Sequence, residues 1–226
     1  MVYMDKTMML INFKNYNEST GKNAIRIAKI AEKVAEELGV NISIAPSLID
    51  LAKVKENVSI PVYAQHADAI SYGSYTGHIL LENIKEYGID GIMVNHSERN
   101  ILLKDIEFIV DRAKGLNMNT IVCASTSKIS GALAIFNPDY IAIEPPELIG
   151  GDISVSVARP EIITESLNLV RRISPETRVL CGAGIKNGLD VKKALELGAN
   201  GILVASGVVK AKDIEKAIYE LANALR

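Results

Sequence analysis

The sequence predicts an α/β protein that forms a single (β/α)8 barrel of eight parallel strands across residues 1–226. Short apolar runs alternate with longer segments of helical period, which is typical of parallel strands joined by helices. The joint Leu38-Gly39-Val40 recurs as Tyr87-Gly88-Ile89 and Leu197-Gly198-Ala199, and each glycine can end a helix in the left-handed conformation. An open doubly wound sheet would share these joints. We therefore infer closure from the strand count and from the absence of a composition shift that would mark a second domain.

The strands are predicted where short apolar and β-branched runs occur. In chain order they are Met8–Asn12, Ile42–Ala45, Val62–Gln65, Gly91–Asn95, Thr120–Ala124, Tyr140–Ile143, Arg178–Cys181 and Ile202–Ala205. Between them, apolar residues recur at helical spacing, most clearly over 24–38, 106–113 and 214–225. These stripes are expected to face the sheet.

Charge and cysteine content limit the classes of function. A formal net charge of −2, with both signs spread along the chain, argues against a nucleic-acid or membrane partner, so any anionic ligand must be held locally. Cys123 and Cys181 fit no metal-ligand spacing and are too few for a disulfide framework, so we expect buried, reduced thiols and no metal. No apolar run approaches a membrane span. We expect a soluble, cytoplasmic protein.

Polar, reactive residues follow three of the predicted strands. His96 follows the run ending at Val94, Glu144 follows Ile143, and Asn12 and Lys14 stand at the end of the first strand. The carboxyl ends of barrel strands converge on one mouth, where such proteins carry out chemistry. The placement predicts a catalytic pair, His96 and Glu144, with Lys14 near it.

Three glycine-containing segments predict an anion site. Gly150 closes the sixth loop, Cys181-Gly182-Ala183-Gly184 ends the seventh strand, and Ala205-Ser206-Gly207 ends the eighth. Glycine lets the backbone approach phosphate oxygens closely, and the first turn of a helix presents free N–H groups. Such segments are frequent in barrels and do not by themselves identify one enzyme.

Taken together, the motifs resemble the triosephosphate isomerase family over nearly the whole chain. The motifs that carry this resemblance, in the family's order, are Asn12-Phe13-Lys14, Asn95-His96-Ser97-Glu98-Arg99, Glu144-Pro145 followed by Ile149-Gly150, and the segments near Gly184 and Ser206. The short chain and the sixth-loop sequence over 145–150 are similar to the archaeal branch. The resemblance implies a TIM barrel that interconverts D-glyceraldehyde 3-phosphate and dihydroxyacetone phosphate through an enediolate, in glycolysis and gluconeogenesis, without a cofactor.

The resemblance also implies the catalytic roles. Glu144 is the base that takes a carbon-bound proton, and His96, as a neutral imidazole, polarises the carbonyl; the family is itself a standard example of groups tuned to such roles. A helix start at Ser97 and Glu98 is expected to keep His96 uncharged through its amide dipoles. Ser97 and Glu98 are therefore expected to contact the catalytic residues and not the substrate.

The remaining implied roles concern binding. Lys14 neutralises charge on the enediolate and the phosphate, Asn12 orients Lys14 and the substrate oxygens, and Glu98 pairs with Lys14 or Arg99. The other substrate-binding residues are Ile149, Gly150, Gly184, Ala205 and Ser206.

Two loops carry further expectations. Residues 65–77 resemble the family loop that reaches into a partner subunit, so self-association as a homodimer or homotetramer is implied. His66 and His78 are interpreted as loop or interface residues, outside catalysis. The segment Pro145–Gly151 fits a mobile lid that shields the enediolate from water, although Gly151 stands where many family members carry threonine.

Two other functions stay open at this point. A different barrel enzyme acting on a phosphorylated sugar would share the phosphate segments, although Asn12, Lys14, His96 and Glu144 together argue against it. A non-catalytic barrel that senses a triose phosphate or serves in assembly is the second alternative, because a fold does not fix a function.

Overall fold

The computed structural model describes residues 7–145 and 155–226, and in them eight parallel strands form one sheet. The strands are β1 Met8–Asn12, β2 Asn41–Ala45, β3 Tyr63–Ala64, β4 Gly91–Val94, β5 Asn119–Ala124, β6 Tyr140–Ile143, β7 Arg178–Cys181 and β8 Gly201–Val204. The sheet order runs from β2 through β1 and β8 to β3. A parallel bridge between Ile44 and Val62 joins its two ends and closes the barrel. The predicted fold class is confirmed.

Helices alternate with the strands. In the described residues they are α1 Lys22–Leu38, α2 Leu51–Lys55, α3 Leu81–Glu86, α4 Leu103–Gly115, α5 Ser127–Ala134, α6 Val155–Ala158, α7 Pro160–Ile173, α8 Gly188–Glu196, α9 Ser206–Val209 and α10 Ile214–Asn223. A 3-10 turn spans Asn17–Ser19. The predicted apolar stripes of α1 and α4 are buried, as are Ile214, Ile218 and Leu221 of α10.

The core has two layers because strand side chains alternate between the sheet faces. Met8 and Leu10 of β1 belong to the cluster that fills the barrel interior, together with Tyr63 and Leu180. Met9 and the other outward-facing strand residues join the larger cluster beneath the helices. Burial on both faces explains why the strands read as nearly continuous apolar runs.

The three predicted helix-to-strand joints adopt the expected backbone conformation. Gly39, Gly88 and Gly198 have φ of +64°, +73° and +99°. At the first joint, the N–H of Gly39 donates to the carbonyl of Ala35 and ends α1. These glycines turn the chain from each helix into the next strand.

The observed strand ends differ from the predicted ones by one or two residues. β4 ends at Val94 because Asn95 has a φ of +59° and leaves the extended conformation. β8 ends at Val204 because Ala205 caps α9. β3 contains only Tyr63 and Ala64, since Val62 contributes an isolated bridge and Gln65 turns toward neighbouring loops.

The described residues include no helix with the length and apolar character needed to cross a lipid bilayer.

Candidate active site

The predicted catalytic pair meets at the carboxyl ends of the strands. Glu144 directly follows β6, and His96 lies two residues beyond β4. The His96 Nε2 atom is 3.3 Å from Glu144 Oε1. The residues are only 5% and 2% exposed, respectively, so their polar atoms are largely removed from water.

Asn95 shapes the turn that presents His96. Its positive φ bends the chain out of β4, and its side-chain amide donates to the carbonyl of Cys123 at 3.0 Å. Its side-chain oxygen accepts from the N–H of Ile101 at 3.2 Å. Asparagine tolerates the left-handed conformation better than most residues, so the residue before His96 is itself a structural requirement of the site.

The hydrogen bonding of His96 fixes its neutral form. Its Nδ1 atom lies 3.1 Å from the backbone N–H of Glu98, which can only donate. Nδ1 must therefore carry a lone pair, and the proton lies on Nε2, facing Glu144. A Glu98 carboxylate oxygen 3.5 Å from Nδ1 works against this assignment, but that side chain is 58% exposed and water screens its charge.

The expectation that a helix starts at Ser97 and Glu98 is wrong. Residues 97–99 form a turn, closed by a bond from the Arg99 N–H to the His96 carbonyl, and α4 begins only at Leu103. The Glu98 N–H in this turn donates to His96 Nδ1. It therefore favours the neutral imidazole, the effect that the sequence analysis attributed to a helix dipole. Ser97 and Glu144 line one cavity together with Cys123.

The base candidate is held by the neighbouring strands. The Glu144 N–H donates to the carbonyl of Ala124 at 2.8 Å, continuing the β5 ladder. Its side chain packs on Gly182, where an added Cβ would lie 2.5 Å from Glu144 Cγ. Burial, and after it the nearby Glu144 carboxylate, raise the pKa of Cys123 well above the ordinary range, so this thiol keeps its proton.

Two buried polar atoms in the pair have no hydrogen-bond partner within residues 7–145 and 155–226. Among the residues that the structure describes, neither His96 Nε2 nor Glu144 Oε2 makes a hydrogen bond, although 3.3 Å separates His96 Nε2 from Glu144 Oε1. The contact is close but poorly aligned for a hydrogen bond. Because buried polar atoms in folded proteins are nearly always satisfied, this arrangement suits a ligand that places oxygen and C–H groups between them.

Lys14 completes the cationic side of the site. Its Nζ atom lies 2.7 Å from Glu98 Oε1, and its side chain is only 10% exposed. Its φ is +49°, and its N–H donates to Asn12 Oδ1 at 3.0 Å. Of the two partners predicted for Glu98, Lys14 is the one it contacts, whereas Arg99 lies 3.6 Å from Asp68.

Gln65 is a site residue that the sequence reasoning missed. Its Nε2 atom lies within 3.3 Å of three acceptors, namely Asn12 Oδ1, the Lys14 carbonyl and the Ala45 carbonyl. Asn12 Oδ1 therefore receives donors from both Gln65 and the Lys14 backbone. The amide nitrogen of Asn12 is left as the group that a ligand can meet. A polar residue at the end of β3 was the available signal.

The predicted phosphate residues gather around one cavity. Gly184, Ala205 and Ser206 line it with Lys14 and Glu144. Ser206 begins α9, and the first N–H groups of a helix have no partner within it. Ile149 and Gly150, and the predicted lid apart from Pro145, lie outside the described residues.

The protruding 65–77 loop is tied to the barrel at its base. Asp68 Oδ2 accepts from the N–H of Ile79 at 2.7 Å, and Asp68 Oδ1 lies 3.0 Å from His66 Nε2. Tyr72 and Tyr75 are 71% and 46% exposed. The loop therefore presents aromatic surface from an anchored base.

Within 7–145 and 155–226, no group of three or more His, Cys, Asp or Glu side chains is placed to hold a metal ion.

Comparison with known proteins gives a consistent result. Residues 7–222 match the family model described as triosephosphate isomerase. The chain is 55% identical over 214 residues to the triosephosphate isomerase of Methanocaldococcus jannaschii, covering 95% of this chain and 98% of that one. It is 51% identical to that of Methanothermus fervidus and 49% identical to that of Archaeoglobus fulgidus, each match covering 96% of this chain and 98% of the relative.

Proposed function

Because the chain belongs to the triosephosphate isomerase family, and is therefore an isomerase of D-glyceraldehyde 3-phosphate and dihydroxyacetone phosphate, we propose that Glu144 and His96 carry its proton transfers. The reaction belongs to glycolysis. The family relationship sets aside the two alternatives, another sugar-phosphate barrel enzyme and a barrel that only binds.

Glu144 is the general base. It removes the proton from the carbon next to the substrate carbonyl, which leaves an enediolate, and returns it to the neighbouring carbon. A base must lie within hydrogen-bond reach of the proton that it takes. The Glu144 Oε2 atom, in a residue that is 2% exposed, supports this role because it makes no hydrogen bond with the described residues, although the protonated Cys123 thiol lies near this carboxylate.

His96 is the electrophile. Its Nε2–H donates to the carbonyl oxygen and moves a proton between the two enediolate oxygens. The bond from the Glu98 N–H to Nδ1 supports the neutral form and fixes the ring orientation. A preorganised donor of this kind stabilises charge as it develops in the transition state.

Lys14 and the backbone after β7 and β8 hold the phosphate and the developing negative charge. The cavity shared by Lys14, Gly184, Ala205 and Ser206 supports this assignment. Asn12, oriented by Gln65 and the Lys14 N–H, directs its amide nitrogen to a substrate oxygen. Ile149 and Gly150 belong to the same binding set by family resemblance.

The enzyme self-associates as a homodimer or homotetramer through residues 65–77. The exposed rings of Tyr72 and Tyr75 support this proposal, as does an open cavity of about 710 Å³ lined by Lys14, Gln65 and other residues, which could receive that loop from a second copy. Tyrosine is enriched in protein interfaces. The two free, buried cysteines favour a reducing compartment such as the cytoplasm. The small net charge, with both signs spread along the chain, argues against nucleic acid or a membrane as partner.

The observation that carries the mechanism is a pair of buried atoms, His96 Nε2 and Glu144 Oε2, that have no hydrogen-bond partner in the described part of the chain. The test is a coupled assay with glyceraldehyde 3-phosphate of the purified protein beside its Glu144→Gln variant. We expect rapid isomerisation that the variant loses while it remains folded. Substantial activity in Glu144→Gln would remove this residue from the role of base.

A further inference from the structure

A cation–π contact joins the two loops that border the phosphate cavity. The Lys210 Nζ atom lies 3.9 Å from the centroid of the Tyr16 ring. Tyr16 stands two residues beyond Lys14, and Lys210 stands four residues beyond Ser206, directly after α9. A lysine ammonium over an aromatic face is attracted by the negative charge of that face.

Tyr16 is anchored on the Lys14 side of the cavity. Its carbonyl accepts from the N–H of Ser19 at 3.0 Å, and the Ser19 hydroxyl donates to the carbonyl of Phe13 at 2.6 Å. Ser19 is fully buried. Tyr16 also lines the phosphate cavity itself, with Lys14 and Ser206. Movement of Tyr16 would therefore disturb the loop that presents Lys14.

Lys210 is anchored on the opposite side. Its N–H donates to the carbonyl of Ser206 at 3.1 Å, which connects it through one helical turn to the predicted phosphate amides. β1 and β8 are paired up to Ile11 and Val204, and the loops that carry Tyr16 and Lys210 follow these residues. The contact between Tyr16 and Lys210 therefore crosses the gap between these loops, above the last paired residues.

We propose that Tyr16 and Lys210 form a clamp that sets the distance between the Lys14 ammonium and the backbone amides at the start of α9. Both are positioning residues for the substrate phosphate, and the proposal rests on the phosphate site assigned above. A dianion gains full binding only when the cation and the amides reach it together. A small displacement of one contacting group can weaken the whole arrangement.

The test measures kcat, KM for glyceraldehyde 3-phosphate and inhibition by inorganic phosphate in Tyr16→Leu, Lys210→Met and the double variant. We expect each single change to raise KM and the phosphate inhibition constant together by about 2- to 10-fold. We expect kcat to fall by a smaller factor than KM rises. The phosphate contacts are made in both ground and transition states and act on KM, and only the contact of Lys14 with the developing charge acts on kcat. The double variant should lose no more than either single variant, because the two residues act through one contact.

Matched variants separate the clamp from a simple charge effect. Lys212→Met removes the same charge from an exposed position two residues away and should leave both constants unchanged. Lys210→Arg and Tyr16→Phe, which keep a cation and an aromatic face, should recover most of the loss. If Lys210→Met weakens binding and a folded Tyr16→Leu does not, Lys210 acts only as a charge and the clamp is overturned. Additive losses in the double variant would overturn it as well.

Lys14→Met distinguishes failure of the clamp from failure of the phosphate site. If Lys14→Met raises KM strongly while the Tyr16 and Lys210 variants behave as wild type, the clamp alone is wrong. If Lys14→Met leaves KM and phosphate inhibition unchanged, the phosphate site is wrong and the clamp falls with it. Should Tyr16→Leu fail to fold, Tyr16→Met replaces it, because methionine removes the aromatic face and keeps an apolar side chain. Wild-type binding in a folded Tyr16→Met beside weakened binding in Lys210→Met would overturn the clamp.

Discussion

The Glu144 side chain rests on the backbone of Gly182, and an added Cβ at that glycine would lie 2.5 Å from Glu144 Cγ and 3.1 Å from the Ile143 carbonyl. The end of β7 thus forms the floor beneath the base. Any side chain at position 182 must compete with Glu144 for the same volume.

Gly182→Ala should displace the Glu144 carboxylate and lower kcat by about 10- to 100-fold, because a shift of roughly 1 Å can cost a factor of that order. Overpacking should also destabilise the fold by about 1–3 kcal/mol. Steady-state kinetics and urea unfolding measure the two effects. Gly115→Ala is the matched control, since an added Cβ there meets nothing within 4 Å. A kcat near that of the wild type in Gly182→Ala would show that Glu144 has freedom to move.

Glu144→Asp should fold normally yet lose most turnover, by about 100-fold or more, because retracting the carboxylate by one methylene takes it out of reach of the substrate proton. The steric conflict of the previous variant is absent here. Circular dichroism and the coupled assay check fold and rate separately. Near-normal rates would contradict the role of Glu144 as base.

His96→Gln should bind inorganic phosphate as the wild type does and turn over about 100-fold more slowly, because the amide replaces a precisely aimed donor at the carbonyl end. The phosphate contacts come from other loops and should persist. Inhibition by phosphate, measured beside kcat, tests this separation. If phosphate inhibition collapses along with turnover, the assignment of His96 to the carbonyl end is wrong.

Gln65→Glu should destabilise the protein by about 1–3 kcal/mol at neutral pH, because the new carboxylate would face three oxygen acceptors instead of donating to them. These acceptors disfavour the charged form, so the new carboxyl has a folded pKa above its unfolded one. The lost stability should return as pH falls, since the protonated group can donate again. Urea unfolding at several pH values measures this, with Asn168→Asp, at an exposed position in the middle of α7, as the control. Equal losses at all pH values would contradict the account.

His66 should make stability depend on pH. Burial lowers the pKa of His66 from its ordinary 6.5, although its hydrogen bond with Asp68 works in the opposite direction. The folded state therefore binds a proton less readily than the unfolded state. The contribution is fully present above about pH 6.5 and is lost as pH falls through the folded pKa.

The measurement is the free energy of unfolding at pH 7.5 and at pH 5.5. Wild type should lose stability on acidification, and His66→Gln should lose less. His78→Gln replaces an exposed histidine and should follow the wild type. An unchanged pH dependence in His66→Gln would mean that the Asp68 bond offsets the burial.

The sequence predicted those parts of the site that follow from local pattern. His96, Glu144 and Lys14 stand at strand ends, and strand ends of a barrel meet, so their convergence was predictable. Gly182 and Gln65 could not be assigned in this way, because their roles depend on which atoms of distant segments face them. From sequence alone, Gly182 is interpreted as part of an anion-binding loop. Its contact with Glu144 is evident only from the structure.

The error at Ser97 and Glu98 has a similar cause. Polar residues after a strand are typical of a helix start, yet the backbone of Asn95 turns the chain first and delays α4 to Leu103. The positive φ of Asn95 depends on tertiary structure, because the hydrogen bond from its side chain to the Cys123 carbonyl stabilises it. Boundaries of this kind follow from packing that a local pattern does not contain.

The closure of the barrel has a consequence for its breathing motions. β2 and β3 meet through the bridge of Ile44 with Val62, where Pro61 has no N–H to donate, and the amide of Gln65 reaches the Ala45 carbonyl just above it. The Gln65 side chain thus adds a hydrogen bond at the junction of β2 and β3. The same amide also donates to Asn12 Oδ1 and to the Lys14 carbonyl. Transient separation of β2 from β3 would release Asn12 and Lys14, which orient the substrate, before the hydrophobic core unfolds. The Gln65 amide therefore stabilises both the closure of the barrel and the active site. We expect local opening between β2 and β3 to limit how long the site stays assembled.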